Sequence, residues 1–367
     1  MMPESLHQDH RQDPELDAQF PLQPTVFHSI FLTAPVDHAP VRPIALAHLG
    51  ILAVRGVDAR KFLNGQLSQD VIGLAADRVE LAGLHNPQGR LVALLRLVPL
   101  GADDVLCVLP RILLGDTLAT LRKFLLRAKA TLTDESANWI IEGVTHDAAL
   151  PAAVGSARVD GTEIAWRHAA DGRVIRLRPN SIDANASKPN VSDAKAITAW
   201  QLADIAAGLP EVTESTRGEF VAQMLNLDAL GGISFTKGCY TGQEVIARAH
   251  YRGRVKRRAQ RFRVTAISWP DEAPKPVEAL HHTNAMQPGQ KVKLIDGSST
   301  RSAQIVNVAQ GSQGIECLAV TNFASATPEP VSNANEASAS EASSHAASND
   351  MPTLTVVALP MSYALPE

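Results

Sequence analysis

The segment FTKGCYTGQEVIARAHYRGRVKRR, residues 235–258, concentrates the residue types that could do chemistry. It contains Cys239, with Lys237 two positions before it and the pattern Thr241-x-x-Glu244 just after it. The T-x-x-E pattern is typical of a capping box and predicts that a helix starts at Thr241. The backbone amides of that helix start, together with the Lys237 ammonium, would favour the thiolate form of the cysteine. This arrangement indicates a reactive cysteine, but it fits a loop-to-helix junction with a small buried cysteine equally well.

The other two cysteines offer a contrast. Cys107 in VLCVLP and Cys317 in IECLAV lie within apolar, strand-like runs and are predicted to be inert core residues. Three cysteines at these spacings form neither a disulfide framework nor a CxxC metal site. The chain therefore cannot supply four cysteine ligands to an iron-sulfur cluster, and any cluster role would need ligands from a partner. Neither His85 nor His250 has a second histidine at metal-ligand spacing, so no mononuclear metal site is predicted.

A set of strands and helices precedes this segment and must position it. The run IALAHLGILAVRG alternates well enough for a strand, and Asp58 stands at the N-cap position of a predicted helix over residues 59–74. Two strands joined by a turn at residues 86–89 are predicted within VELAGLHNPQGRLVALLRLVPL. The strand DVLCVLP and the amphipathic helix ILLGDTLATLRKFLLRA complete the set. The pattern predicts an α+β fold with antiparallel hairpins.

The remainder of the chain first repeats this mixture of strands and helices and then becomes a series of short strands. A similar set lies between Leu132 and about Val255 and includes the helix AITAWQLADIAAG, which carries Trp200. From Lys256 onward, short β-like runs separated by Gly, Pro and Ser predict a small C-terminal β-barrel. Residues 322–350 are almost free of large apolar side chains and are predicted to be a disordered insertion between two barrel strands. Three regions are thus predicted: a mobile N-terminal extension at 1–43, two α+β subdomains at 44–255, and the barrel at 256–367.

Composition and charge limit the possible partners. The chain is 45% hydrophobic and 20% charged, which is typical of a globular protein with a substantial core. Its net charge of -4 gives no global reason to bind nucleic acid or an anionic membrane. No apolar run approaches the roughly 18 residues of a membrane span, and the acidic, polar start lacks the apolar core of a signal peptide. These features predict a cytoplasmic protein that does not associate with a membrane.

One stretch of the chain is nevertheless strongly basic. A run like this is most often a solvated face, and attraction of a ligand with a polyanionic tail or of an acidic protein explains it at least as well as RNA does. Direct RNA binding is therefore not predicted. The cationic residues of the run are Arg248, Arg252, Arg254, Lys256, Arg257, Arg258, Arg261 and Arg263.

The cysteine segment carries a resemblance to a known family. KGCYTGQE is similar, residue for residue, to the signature of YgfZ-type proteins, and the flanks NLDALGGISFTKG and ARAHYRG continue the likeness. LNGQLSQDV, LHNPQGRL, the GLPEV turn and the closing VVALPMSY extend it over most of residues 44–320 and the last strand. The resemblance implies a T-protein-like ring of antiparallel α+β domains around a folate-binding channel. It also implies a role in assembling or repairing iron-sulfur clusters, including those of tRNA-modifying enzymes, with iron-sulfur proteins or their assembly factors as partners.

The resemblance also assigns roles to residues of this chain. Cys239 would be the functional centre, and tetrahydrofolate or a related reduced folate would be the cofactor. A reduced folate needs an aromatic face, hydrogen-bonding side chains and cations, and the segment with the preceding tryptophan helix supplies these types. Trp200 fits a core tryptophan equally well. The candidate folate-binding residues are Trp200, Lys237, Gly238, Tyr240, Gly242, Gln243, Glu244 and Arg248.

A second function, folate-dependent aminomethyl transfer or demethylation of the T-protein kind, is weighed against the first. The T-protein has a carboxylate just before the glycine at the end of its corresponding helix, whereas Ala206 and Ala207 precede Gly208 here. The T-protein also lacks the cysteine motif, and IALAHLGILAVRG has no aromatic residue where some YgfZ-type proteins carry a second tryptophan. These departures favour a folate-binding accessory protein and leave open whether the chain turns over a substrate.

Overall fold

The protein is described by a computed structural model. It describes residues 43–180, 194–253, 255–270, 273–277, 286–311, 314–322 and 351–366. The expected N-terminal extension lies outside the described residues apart from Pro43, and so does the expected insertion apart from Asn322. Asn322 is the last residue of a strand, so the insertion cannot begin before residue 323.

Strands outnumber helices in the described part of the chain, and the mixed α+β class predicted from the sequence is confirmed. The α-helices are α1 (Ala59–Asn64), α2 (Arg111–Leu125), α3 (Ala194–Ala206) and α4 (Gln243–Tyr251). The strands are β1 (Ile44–Ala45), β2 (Leu49–Arg55), β3 (Glu80–His85), β4 (Leu91–Leu100), β5 (Asp104–Pro110), β6 (Thr131–Asp134), β7 (Trp139–Val144), β8 (Ala157–Asp160), β9 (Glu163–Arg167), β10 (Val174–Pro179), β11 (Arg257–Ser268), β12 (Lys275–Pro276), β13 (Lys291–Asp296), β14 (Ser299–Gly311), β15 (Gly314–Asn322) and β16 (Thr353–Leu359). None of the helices described is both long and apolar enough to cross a bilayer.

The first sheet has the antiparallel order β3-β4-β5-β2-β6 and is covered on both faces. Successive side chains of a strand point to opposite faces, so Leu52 and Val54 enter one core with Phe62 of α1, while Ile51 and Ala53 enter another. This burial on both faces explains why β2 is almost continuously apolar. The predicted hairpin is confirmed, since β3 pairs with β4 across residues 86–89.

Helix α1 is shorter than the sequence predicts. Asp58 does precede it, but its carboxylate accepts a hydrogen bond from the backbone N–H of Lys129 at 2.7 Å and does not cap the helix. The helix ends at Asn64, and the predicted continuation to residue 74 is wrong. The Asn64 side-chain oxygen instead accepts a hydrogen bond from the N–H of Val71 at 2.9 Å, which closes residues 64–71 into a loop. We call residues 64–69 the α1-end loop.

The second and third sheets complete the described fold. The second sheet has the order β1-β7-β10-β9-β8, and its side chains share a core with the first sheet and with α3. In the third sheet, β11 pairs with β15, β15 with β14, β14 with β13, β13 with β16, and β16 again with β11, so the series of pairings returns to its first strand. Fully buried Phe262 lies in the core of this sheet, and burial of such a side chain stabilises a fold by about 1.5–3 kcal/mol.

Candidate functional site

Helix α4 begins later than the sequence predicts. Its first residue is Gln243, the N-cap is Gly242 with φ of 82°, and no side chain caps it. The capping box predicted for Thr241 and Glu244 is therefore wrong. The Glu244 carboxylate pairs instead with Arg248 on the exposed face of the helix, at 3.0 Å. Because α4 starts four residues after Cys239, the argument that its N-terminus favours the thiolate no longer holds.

Gly242 fixes this late start because it packs against the β3–β4 hairpin. A Cβ atom added to Gly242 would lie 2.6 Å from the carbonyl oxygen of Asn86 and 3.0 Å from the Cα of Gly89. One added to Gly89 would lie 2.7 Å from the Cβ of Val245 on α4. Both glycines also have a positive φ, which other residues adopt at a cost. The structure thus brings the LHNPQGRL and KGCYTGQE motifs into direct contact.

Lys237 anchors the loop that carries the cysteine. Its ammonium donates hydrogen bonds to the backbone carbonyls of Asn64, of Leu67 at 2.6 Å and of Gln69 at 3.0 Å, all in the α1-end loop. The nitrogen also lies 4.9 Å from the ring centroid of Tyr240. Burial lowers the pKa of Lys237 to about 8. An ammonium has three donors and all three are used here, so Lys237 is an anchor and donates no hydrogen bond to the cysteine sulfur.

The three cysteines differ sharply in exposure. Cys239 is exposed, so the alternative of a small buried cysteine at this position is wrong. Cys107 and Cys317 are fully buried, which raises the pKa of each thiol to about 12. The prediction that these two are core residues is confirmed. Cys239 is therefore the only thiol of the chain that a partner or reagent can reach without local unfolding.

Other predicted site residues divide into anchors and surface residues. Tyr240 is buried against His85, with ring centroids 6.2 Å apart, and burial raises its pKa to about 12. Gln243 donates its backbone N–H to the Tyr240 carbonyl at 3.2 Å. Gly238 is exposed, beside the cysteine. Glu244 and Arg248 point to solvent, with 84% and 71% of their side chains exposed.

The basic run is not one continuous exposed face. Arg258 is buried, and its guanidinium makes two 2.8 Å hydrogen bonds to the carboxylate of Asp228. Arg261 and Arg263 both pair with Glu316 on the neighbouring strand, at 2.7 and 2.9 Å. Three of the cations in the run are therefore used inside the fold, and Asp228 holds an arginine in place.

A cavity of about 190 Å³ is lined by residues of the first two sheets and of neighbouring loops. Its lining combines cationic, aromatic and backbone groups from β3, β4 and β9 with residues of the loops before β3 and β8 and after α3. Gly231 lines it, and the Gly231 carbonyl accepts a 2.6 Å hydrogen bond from the side chain of Gln69, in the α1-end loop. The cavity and the cysteine loop are thus attached to the same short segment. The lining residues are Arg78, Val79, Glu80, Leu81, Arg96, Val154, Gly155, Trp166, Arg167, His168, Leu209, Leu230 and Gly231.

Trp200 lies behind this cavity and does not line it. It is 3% exposed and packs in the core shared by the first two sheets, whereas Tyr240 packs in the other core. Its ring stacks on His168, with centroids 5.5 Å apart, and His168 does line the cavity. The guanidinium of Arg173 covers Trp200 at 4.6 Å. The structure therefore separates Trp200 from the cysteine motif, and direct contact between Trp200 and folate remains a prediction.

A cluster of charged groups surrounds this tryptophan. Asp204 accepts hydrogen bonds from His168 at 2.9 Å and from Arg173 at 2.7 Å. Burial alone would raise the pKa of Asp204, but these neighbouring charges outweigh burial and lower it. Glu211 lies 4.0 Å from Nε2 of His48, and burial raises the pKa of Glu211 to about 7. Two carboxyl groups therefore lie behind the cavity and differ in pKa. The pKa of Asp204 is lowered, which holds it ionised, whereas that of Glu211 is raised to about 7.

Arg96 stands between this cluster and the cavity. Its positive charge contributes to lowering the pKa values of His48, His168, Asp204 and Glu211. Burial lowers the pKa of Arg96, and its guanidinium makes no hydrogen bond to any residue in the described ranges. Sequence reasoning missed these residues. The available signal was a lone arginine inside the apolar strand LVALLRLVPL, since an isolated charge in a buried strand usually serves a site.

No protein-family model matches the chain. A tRNA-modifying protein YgfZ from Enterobacter sp. strain 638 is 31% identical over 230 residues, which cover 59% of this chain and 70% of that protein. An uncharacterized protein of Haemophilus influenzae is 34% identical over 222 residues, covering 60% and 73%. The glycine cleavage system aminomethyltransferase T from Bartonella henselae matches in structure with a TM-score of 0.49 and 12% identity, covering 77% and 79%.

The fold and the site define a strand-rich α+β protein with a cavity lined by cationic side chains and an exposed cysteine on an anchored loop. The identity to the Enterobacter protein, over more than two thirds of that protein's length, shows the family. This chain belongs to the YgfZ family.

Proposed function

We propose that the protein is a tetrahydrofolate-binding accessory factor in iron-sulfur cluster assembly or repair, with Cys239 as its functional centre. Its clients would be cluster enzymes such as those that modify tRNA, in the cytoplasm, and its partners would be iron-sulfur proteins or their assembly factors. The name tRNA-modifying protein that relatives carry supports this direction. The observation that carries the proposal is an exposed thiol on a loop that Lys237 anchors to the α1-end loop, which in turn binds Gly231 in the wall of the cavity.

The cavity has the groups that a reduced folate needs. His168 offers an aromatic face, Arg96 a donor and Arg78 a second cation, and these suit a ring with polar edges and a carboxylate tail. Trp200 would act through His168, which stacks on it. In this proposal the fold is a T-protein-like ring whose third sheet forms a closed barrel beginning at Lys256. The remaining candidate residues, Lys237, Gly238, Tyr240, Gly242, Gln243, Glu244 and Arg248, would shape and present the cysteine loop.

Titration with tetrahydrofolate tests the folate part of the proposal. We expect saturable, micromolar binding that quenches tryptophan fluorescence, because Trp200 lies directly behind the ring that lines the cavity. Because Trp166 itself lines the cavity, a Trp166→Phe/Trp200→Phe variant should lose most of the quenching, whereas Trp269→Phe, which packs against the third sheet, should keep it. Absence of saturable binding by calorimetry would refute folate binding.

Replacement of the exposed cysteine tests its role. Cys239→Ala should leave the melting temperature and folate affinity unchanged, because the thiol is exposed and makes no packing contribution. It should also remove the ability of the protein to restore the activities of several cluster enzymes in cells depleted of it. Full restoration by Cys239→Ala would show that the thiol is dispensable. Glycine cleavage, measured in the same cells, separates a cluster defect from a defect in aminomethyl transfer.

A further inference from the structure

We propose that the exposed end of helix α2 is a docking surface for an acidic, partly apolar segment of another protein. Three apolar side chains are exposed there: Val57 at 68%, Phe124 at 46% and Leu126 at 88%. A cluster of exposed apolar side chains rimmed by polar groups marks an interaction surface. This interaction involves neither folate nor Cys239. We call the surface the α2-end patch, and it consists of Val57, Lys123, Phe124, Leu126, Arg127 and Lys129.

Two chain segments that are far apart in the sequence form this patch. The backbone N–H of Lys129 donates to the carboxylate of Asp58 at 2.7 Å, and the N–H of Asp58 donates to the Lys129 carbonyl at 3.3 Å. A Cβ atom added to Gly56 would lie 2.5 Å from the same carbonyl oxygen. Val57 stands between Gly56 and Asp58, so it lies beside the segment that leaves α2. The exposed apolar side chains therefore belong to one surface.

Leu126 is the residue that points to a partner. It follows the last residue of α2 and has a φ of 37°, a conformation that glycine adopts freely but that strains a residue with a side chain. The other non-glycine residue with a positive φ in the described ranges is Asn226, which is fully buried and donates a 2.9 Å hydrogen bond to the Ala259 carbonyl. Asn226 thus gains contacts inside the fold, whereas exposed Leu126 gains almost no burial. A side chain that adds strain but little packing to the fold indicates a role outside it.

The charges of the patch identify the chemistry of the partner. Lys123, Arg127 and Lys129 are exposed, and their side chains have no ion-pair partner among the described residues. The one carboxylate within residues 56–61 and 122–130 is that of Asp58, and it is bound to the backbone of Lys129. The patch is therefore cationic although the chain as a whole carries a net charge of -4, so an acidic partner would be attracted here.

The apolar residues favour a protein over a nucleic acid or a membrane. Bases stack on aromatic rings, and Phe124 is the only ring in the patch, whereas Val57 and Leu126 are aliphatic. A helix that lies on a membrane presents its apolar face to the bilayer, but α2 buries its apolar face, including Leu113 and Leu121, inside the fold. A protein segment with acidic residues around a few apolar ones matches both features of the patch.

Fluorescence anisotropy of a labelled peptide tests this assignment. The probe is a helical peptide of about 18 residues with leucines along one face and glutamates beside them. The full chain should bind it with a Kd of about 10–100 µM, in keeping with a small interface. Leu126→Gly should weaken binding at least about 10-fold. This variant should melt no lower than the unaltered protein, because glycine adopts a positive φ without strain. Lys123→Glu/Arg127→Glu should weaken binding by a similar factor, with the larger loss at low salt.

Two variants and one peptide serve as controls. Ile112→Ser removes an apolar side chain that is 67% exposed at the other end of α2, and Lys291→Glu reverses an exposed charge on β13. Neither variant should change the affinity. The same peptide with lysine in place of glutamate should not bind. If the unaltered protein does not bind the glutamate peptide, or if Leu126→Gly binds it equally well, the assignment is wrong.

Other occupants of the patch are tested in parallel. An RNA oligonucleotide of equal charge, or vesicles of phosphatidylserine and phosphatidylcholine, could bind more tightly than the peptide and lose that binding in Leu126→Gly. The patch would then serve a nucleic acid or a membrane, and the proposal would be overturned. Self-association in sedimentation equilibrium that Leu126→Gly abolishes would identify a second copy of the chain and overturn it as well. Tighter binding of the peptide, to a protein that does not self-associate through the patch, supports the proposal.

Discussion

Glu211→Gln should change the pH dependence of stability in a direction that the structure determines. The Glu211 carboxyl group lies 4.0 Å from His48, and burial raises its pKa from the ordinary value of 4.5 to about 7, although the charge of Arg96 opposes the rise. The folded protein therefore holds this proton more tightly than the unfolded chain does. The resulting stability is complete below pH 4.5 and is lost as the pH rises through 7. Glutamine is neutral at every pH, so the variant should not show this loss.

The size of the effect follows from the same numbers. A rise in pKa from 4.5 to about 7 corresponds to at most about 3 kcal/mol at high pH. Because 27% of the side chain is exposed, solvent screening reduces this to about 1–2 kcal/mol. Between about pH 5 and pH 8.5, Glu211→Gln should gain this amount relative to the unaltered protein, or about 1–3 °C in melting temperature for a chain of this length.

Thermal melts at the two pH values, followed by intrinsic fluorescence, would measure this gain. Glu214→Gln is the matched control, because Glu214 lies three residues away on the exposed surface and should show no pH-dependent gain. If Glu211→Gln differs from the unaltered protein by the same amount at both pH values, the carboxyl group is ionised throughout. The account of a buried, protonated Glu211 behind the cavity would then be wrong.

Three further substitutions test the packing of the site by their melting temperatures. Lys237→Met should destabilise by about 2–4 kcal/mol because three carbonyls lose their donor, whereas exposed Lys256→Met should change stability by less than about 0.5 kcal/mol. Gly242→Ala should cost about 2–4 kcal/mol, since φ is 82° and the new Cβ would meet a carbonyl oxygen at 2.6 Å; Gly238→Ala, with nothing within 4 Å, is its neutral control. Cys107→Ala should cost about 1–2 kcal/mol through the small cavity it leaves. A neutral result for Lys237→Met or Gly242→Ala would show that the loop is not anchored as described.

The elements that local patterns determine were predictable. The continuous apolar character of β2, the hairpin turn at residues 86–89 and the amphipathic α2 all follow from the spacing of apolar and turn residues, and all are present. Helix ends were less predictable. The apolar face over residues 59–74 suggested one long helix, but the side chain of Asn64 binds the backbone of Val71 and ends it, a contact that periodicity does not reveal.

The candidate site was predictable in composition and less so in geometry. The cysteine motif itself marked Cys239, and its exposure agrees with a reactive role. The T-x-x-E pattern suggested a capping box, but Gly242 packs against the hairpin and delays the helix, and a long-range contact of this kind has no local signal. The cavity was missed for the same reason. Its cation, Arg96, lies more than a hundred residues from Asp204 and Glu211, and only the fold brings these charges together.

Lys237 connects two motifs that are distant in the sequence, LNGQLSQDV and KGCYTGQE. Helix α1 ends at Asn64, and the backbone N–H groups of residues 65–67 bind the carbonyls of Lys61, Phe62 and Leu63. The Lys237 ammonium binds the remaining carbonyl, that of Asn64, together with two carbonyls of the α1-end loop, and a cation at a helix C-terminus also interacts favourably with the helix dipole. Lys237 therefore closes the end of α1, and the position of Cys239 two residues later depends on where that helix stops. Because Gln69 in the same loop also binds Gly231 at the cavity wall, a change in this loop would alter both places together.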